Sequence, residues 1–261
     1  MDADVIEKLT ELSEEEKEIL GGQKNIRKGD YSLSDKFIVK SEKVLSGDKQ
    51  IDLRLHTRFI DFPEHSHDYM EFMYVYKGSV THVVNGEKLT LQSGDMLFLN
   101  RHIRHSILRA GKEDVGINFI VSNAFLQYIF HNVKDNPVMS DFLTRNFSPN
   151  GEGEYLFFKT KDVFPIRNLM DNLIYTIVRE PSDNYTLLTQ ILSLLFCYLA
   201  HYRETLVNSL RISSPEKRLQ QLVSFYIEQH YTKPSLSELA GSVGYTPAYL
   251  SGKIGKVFGK N

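Results

Sequence analysis

Between residues 31 and 121, apolar side chains come in short runs rich in Val, Ile, Phe, Tyr and Thr, separated by turn residues such as Gly47-Asp48, Asn85-Gly86 and Ser93-Gly94. This punctuation predicts strands at Leu53–Ile60, Tyr69–Tyr76, Val80–Val84, Lys88–Leu91, Met96–Leu99, His105–Leu108 and Val115–Val121. Asn85-Gly86 marks the clearest hairpin, because both residues accept the positive φ of a type I′ turn. So many strands without helices between them imply a sandwich or a barrel.

On either side the period lengthens to that of helices. Residues 3–20 place Val5, Leu9, Leu12 and Ile19 loosely on one face, with Ser13 and Glu16 spaced as a capping box and Gly21-Gly22 as the stop. The acidic run from Glu14 to Glu18 is expected to be a solvated helix face. After Val121, short helices are predicted at 124–133 and 135–145, an extended piece at 155–159, then longer helices at 165–179 and 185–206 joined through Glu180-Pro181-Ser182-Asp183. The first long helix has one apolar stripe, Ile166, Leu169, Leu173 and Ile177. The second is apolar almost all round, so no flank of it should face water, and a second copy of the chain is the expected cover for the flank the barrel leaves open. A homodimer through residues 165–206 follows as an expectation, the alternative being burial of the helix wholly within one chain.

From Ser213-Ser214-Pro215 onward, Leu219, Leu222, Val223, Tyr226 and Ile227 define another helix, ended by Pro234. Ser235-Leu236-Ser237-Glu238 reads as a capping box opening a second, with Leu239, Ala240 and Val243 apolar. Gly244-Tyr245 turns the chain, Thr246 caps, and Pro247 begins a third helix that runs to Phe258. Two short helices joined by a glycine-containing turn follow the helix-turn-helix plan, in which the second enters the DNA major groove.

The polar residues that interrupt the strand region carry its chemistry. His65, His67 and Glu71 share parity in PEHSHDYMEFMYVYKG, so one continuous extended backbone would send all three to one side. The opposite-parity residues Phe72, Tyr74 and Tyr76 are large and apolar, as are Met73 and Val75 beyond Glu71, which implies burial on both faces and histidines lining an internal cavity. Of the nearby polar residues, His82 is expected at the surface.

The HxH…Glu…Gly78 spacing resembles the first motif of the cupin superfamily, and Gly94-Asp95 followed by His105 resembles its second, although Asn100 and His102 stand where that motif usually has Pro and Gly. In metal-binding cupins the corresponding positions, here His65, His67, Glu71 and His105, hold a divalent ion; imidazoles with one carboxylate suit Zn, Fe, Ni or Mn. Three readings of the set remain open: a divalent metal site, a polar small-molecule pocket, and buried polar residues without a ligand.

SLSELAGSVGYTPAYLSGKIGKVFGKN resembles the first helix-turn-helix of AraC-family transcription regulators, and the order of parts matches that family's sensor barrel, dimerising helices and DNA-binding domain. The resemblance implies an α+β chain. Residues 1–30 would form an N-terminal arm, 31–121 a cupin-like antiparallel barrel (double-stranded β-helix), 122–210 a helical dimerisation region and 211–261 a three-helix DNA-binding segment. It implies that His65, His67, Glu71 and His105 bind a small polar effector, sugar-like or another metabolite. Ala248, Ser251 and Gly252 would face base edges, with Thr246, Lys253 and Lys256 nearer phosphates. None of the three base-facing residues makes the bidentate contacts that discriminate bases. Gly252 stands where the family often has Arg, and Gly252 and Gly255 each cost the helix about 0.5–1 kcal/mol relative to Ala. The family's domain has a second helix-turn-helix after a linking helix that would begin near Asn261, so DNA binding by this chain is expected to be weakened. A metal-dependent cupin enzyme, a dioxygenase or isomerase, is the alternative, and the helix-turn-helix spacing of the tail argues against it.

Charge and composition refine this frame. Residues 211–261 carry seven Lys or Arg against three Glu, a net +4, leaving −6 for the rest of a chain whose total is −2. The modest basic excess therefore sits in the segment expected to meet DNA. With a single cysteine no intrachain disulfide forms, and Cys197 is expected to be a small buried hydrophobe. The N-terminus lacks the features of a secretory signal, and Leu187–Ala200 falls short of the roughly 20 apolar residues of a membrane span. A cytoplasmic protein with no membrane contact is expected.

Overall fold

The structure, a computed structural model, describes residues 3–32, 37–45, 47–148, 151–179, 184–208, 214–230 and 232–259. The expected link Glu180–Asp183, Asn150 and Ser213 lie outside them. Helices α1 (Ala3–Thr10) and α2 (Glu14–Leu20) precede β1 (Ile38–Val39), the short α3 (Ser41–Val44), β2 (Ile51–Leu55), β3 (Phe62–His67), β4 (Met70–Lys77), β5 (Ser79–Val84), β6 (Glu87–Gln92), β7 (Met96–Leu99), β8 (His105–Ile107) and β9 (Val115–Val121). There follow α4 (Asn123–Val133), α5 (Pro137–Phe147), β10 (Tyr155–Phe158), α6 (Phe164–Arg179), α7 (Tyr185–His201), α8 (Pro215–Gln229), α9 (Leu236–Ser242) and α10 (Pro247–Phe258). No helix among the described residues is long and apolar enough to cross a membrane.

The fold is α+β. The strands form two five-stranded sheets, β1-β3-β8-β5-β6 and β10-β7-β4-β9-β2, antiparallel except for the parallel edge pair β1 and β3. All seven predicted strands form. The first ends at Leu55 rather than Ile60, since the chain bends at Phe59, which takes a φ of 70°. Asn85 and Gly86 have φ of 52° and 81° and join β5 to β6 as the type I′ expectation requires.

Strand β4 explains why the molecule has two cores. Its even-numbered side chains Met70, Phe72 and Tyr74 join the apolar cluster beneath the helices, while Met73 and Val75 join a second cluster inside the barrel. Phe72 is stacked between Phe98 (4.9 Å) and Phe119 (4.5 Å), and Phe98 meets Phe196 of α7 edge-on at 5.6 Å. A strand that is apolar on both faces is here one that separates two cores.

The arm is fastened to the barrel. The Ser13 and Glu16 capping box forms, but Glu16 also turns inward: its carboxylate accepts from the Arg58 backbone N–H (2.9 Å), Nε (2.7 Å) and a terminal guanidinium nitrogen (2.9 Å). Both side chains are buried, so Glu16 departs from the solvated face expected of the acidic run, while Glu14 and Lys17 stay exposed. Burial alone would push the Glu16 carboxyl up, but the Arg58 hydrogen bonds outweigh it and hold the group below its usual range.

Helices α6 and α7 pack together over the outer sheet, burying Ile166, Leu169, Leu173 and Ile177 as expected. On α7, Leu188, Leu192, Leu195, Phe196 and Leu199 are buried, whereas Leu187 and Leu194 remain 41% and 48% exposed. Cys197 is exposed on the same helix, contrary to expectation, because the barrel covers only one flank of α7.

The terminal helices form with caps at Ser214, Ser235 and Thr246, the last two as predicted. Glu238 is drawn away from a reciprocal cap by Tyr226, whose hydroxyl donates to its carboxylate at 2.9 Å. These helices do not stand apart from the barrel: Leu219, Val223, Phe225, Leu239 and Leu250 belong to the same apolar cluster as the outer sheet and α4–α7.

Candidate functional site

The polar cluster is assembled from both sheets. His65 and His67 lie on β3, His105 on the neighbouring β8, directly opposite His65 in register, and Glu71 on β4 of the other sheet. The chain turns at Asp68-Tyr69, so the shared parity of His67 and Glu71 does not reflect one continuous strand; Glu71 reaches the interior from the facing wall. All four side chains are buried.

A ligand atom from each of His65, His67 and His105 lies within 4.8 Å of the others, and His67 Nε2 is 3.3 Å from His105 Nε2. Glu71 is not part of that three-imidazole group; its Oε2 stands 3.6 Å from His67 Nε2. Burial pushes His65 down to about 4 and holds His67 and His105 well below the ordinary imidazole value, so the rings are neutral near pH 7. It pushes Glu71 up to about 8.

Asn100 sets the turn that aims His105. Its Oδ1 accepts from the backbone N–H groups of His102, Ile103 and Glu154, and its Nδ2 donates to the Glu152 carbonyl at 2.8 Å. One buried amide thus does the work the usual Pro and Gly of the motif would do. His102 points elsewhere, its Nε2 2.8 Å from the Ser148 carbonyl.

A cavity of about 500 Å³ opens between the barrel interior and the arm, with His65, Glu71, Asn118, Thr57 and Tyr69 on its inner side and α2 across its mouth. Three buried atoms of its lining residues, His56 Nε2, Glu71 Oε1 and Asn118 Oδ1, have no hydrogen-bond partner among the described residues. Buried polar groups without protein partners are costly, and each calls for a water, an ion or a ligand. His67 and His105 stand behind this lining.

The sequence missed His56, Asn118 and His82. His82, expected outside, is fully buried on β5, its ring parallel to that of His105 at 5.2 Å. The signal was present: Val80, His82 and Val84 share parity, and that parity is the buried one.

The donor set fits a divalent ion. Two nitrogens held about 2.0–2.1 Å from one tetrahedral ion lie roughly 3.3 Å apart, which is the observed His67–His105 separation. His65, His67 and His105 would hold the ion, with Glu71 beside them. The chemistry such an ion supplies is Lewis-acid polarisation of a ligand oxygen.

All six residues assigned to DNA lie on the exposed side of α10 or at its start. Thr246 caps the helix, Ala248, Ser251, Gly252, Lys253 and Lys256 are exposed, and Leu250 is buried beneath them. A Cβ added at Gly252 would meet nothing within 4 Å.

Residues 53–121, which make up most of the barrel, match the cupin domain family model. The HTH-type transcriptional activators RhaS of Shigella sonnei (strain Ss046) and Escherichia coli (strain K12 / DH10B) are similar at 37% identity over 60 residues, 23% of this chain. The match spans 22% of the length of these relatives. Wild-type ToxT from Vibrio cholerae strain SCE256, in its unsaturated fatty acid bound form, aligns over 81% of this chain and 74% of its own, at 16% identity and a TM-score of 0.42. The AraC-like transcriptional activator CuxR aligns over 74% and 61%, at 8% identity and a TM-score of 0.36. The cupin match covers the barrel, and the likeness to the RhaS activators covers 60 residues.

Proposed function

We propose that this chain is a ligand-responsive transcription regulator: the barrel senses a small polar effector, α8–α10 contact duplex DNA, and a second copy covers the exposed flank of α7. The observation that carries this reading is a continuous connection from the cavity to the terminal helices. Asn146, on α5, accepts from the Arg101 backbone N–H (2.9 Å) in the turn before His105. Its amide also donates to Asn123 (2.9 Å), whose own amide donates to the Asp68 carbonyl (3.2 Å) in the turn between His67 and Glu71. The next residue, Phe147, stacks on Phe225 of α8 at 5.0 Å. An effector that rearranges either turn therefore has differential contact with the seat of the DNA-binding helices, which coupling between sites requires.

The test is fluorescence anisotropy with DNA from upstream of the chain's own gene, measured across a salt series and with a panel of monosaccharides. Expected are a negative slope of log K against log salt, reflecting phosphate contacts by Lys253 and Lys256, and a sugar that changes affinity by about 5- to 150-fold. Binding indifferent to salt, or turnover of a small molecule without DNA binding, would favour the metal-dependent enzyme instead. For the second copy, Leu194→Glu should shift the chain to monomer in sedimentation equilibrium while leaving the barrel folded.

A further inference from the structure

Hydrogen-bond direction in the buried histidine cluster can be read from the ends of the chain of rings. A neutral imidazole has one N–H donor and one lone pair. His82 Nε2 lies 3.1 Å from the Met73 thioether, which has no proton to give, so the N–H belongs to His82 Nε2. Its Nδ1 is then the lone pair, and it faces His105 Nδ1 at 3.1 Å. His105 must carry its proton on Nδ1, which leaves its Nε2 as a lone pair facing His67. Independently, His65 Nδ1 is 2.9 Å from the Pro63 carbonyl, an acceptor only, so His65 also keeps its proton on Nδ1 and its lone pair on Nε2.

We propose that His82, braced by Met73, is a positioning residue that fixes the tautomer of His105 and so presents its Nε2 lone pair, together with those of His65 and His67, to a divalent ion of the zinc and cobalt class. The cupin motif positions do not supply this residue; it comes from β5, between Val80 and Val84. A nitrogen whose tautomer is set by a second hydrogen bond is how metal-ligating histidines are oriented. His67 would complete the set: without an ion its Nε2–H is free to donate to His105 Nε2, and with an ion bound that proton would sit on Nδ1, which is buried and has no partner among the described residues. The proton is relocated within one ring, and none is lost. The inference rests on reading the barrel as the sensing domain, and it is measured without DNA.

The experiment uses the full chain, labelled with ¹⁵N-histidine and freed of metal. Two-bond ¹H–¹⁵N correlations should show His105 and His65 protonated at Nδ1 and His82 at Nε2. Co²⁺ is then titrated and followed by its visible absorption. His82→Leu should weaken Co²⁺ binding by about 10- to 100-fold and release the His105 tautomer, whereas His82→Asn, whose Oδ1 replaces the Nδ1 acceptor, should stay within about threefold of the parent. The proposal is overturned if His105 is protonated at Nε2 in the parent chain, if the parent binds no Co²⁺, if His82→Leu binds as tightly as the parent, or if His82→Asn loses as much as His82→Leu. Loss of regulation would appear instead in the DNA anisotropy, which none of these results decides.

Discussion

The two ends of the connection from the cavity to the terminal helices are built differently. At the turn before His105 and at the junction of arm and barrel, polar groups are fixed by directional hydrogen bonds: the Asn100 side chain makes four, and the Glu16–Arg58 pair makes three. Where α8 and α9 meet α4 and α5, the seat is aromatic and incompletely filled. Phe147 and Phe225 stack, but beside them a cavity of about 560 Å³ is lined by Tyr128, Phe130, His131, Tyr226 and Leu239. At the helix-turn-helix turn, Lys134 at the end of α4 donates from Nζ to the Gly244 carbonyl (2.9 Å), with the same ammonium 5.2 Å from the Tyr245 ring centre. Gly244 has a φ of +67°, and a Cβ there would collide with Lys134 Nζ, so this approach needs glycine. Directional bonding holds one arrangement; a partly empty aromatic seat admits more than one.

The sharpest way to break the contrast is at the rigid end. Arg58→Ala leaves the Glu16 carboxylate buried and unpaired and should cost about 3–5 kcal/mol in denaturant unfolding. The same pair predicts a pH dependence. Because the folded value of Glu16 lies below its unfolded value near 4.5, its contribution is fully present above about pH 4.5 and is lost as pH falls through the lower folded value. The stability difference between the parent and Glu16→Gln should therefore shrink on acidification below that point.

Phe225→Ala tests the loose end. It should cost about 3 kcal/mol, the low end for a buried phenylalanine because the site already adjoins a void. Hydrogen exchange should quicken in α8 and α9 while β4, β7 and β9 keep their protection. Equal loss in the barrel would show that the two regions are one rigid body. Asn146→Ala sits between them. Leaving the Arg101 N–H without its partner should cost about 1–3 kcal/mol, and any monosaccharide response in DNA affinity should fall while basal affinity holds.

Gly252→Ala should have the smallest effect, a gain of about 0.5–1 kcal/mol from helix propensity in open space. A destabilisation there would mean that α10 relies on a contact the structure does not provide.

The barrel was legible because alternation and turn chemistry act locally: β7 and β9 form at their predicted bounds, and the Asn85-Gly86 hairpin follows from backbone sterics alone. The three histidines were legible through their spacing. What escaped depends on partners remote in sequence. Glu16 looked like surface until Arg58, 42 residues away, was folded against it. Asn100 looked like a departure from a motif until residues 152–154 came within reach of its amide. Cys197 and Leu194 looked destined for the interior, but a helix apolar on every side says only that something covers it, and among the described residues that flank stays open.

The apolar cluster that begins at Val5 in the first helix continues without a break to Leu250 in the last. A body stitched together in this way should melt in one calorimetric endotherm. Cutting the chain between α7 and α8 would leave on each fragment a greasy scar, Phe147 on one and Phe225 on the other, so that either fragment expressed alone should tend to precipitate.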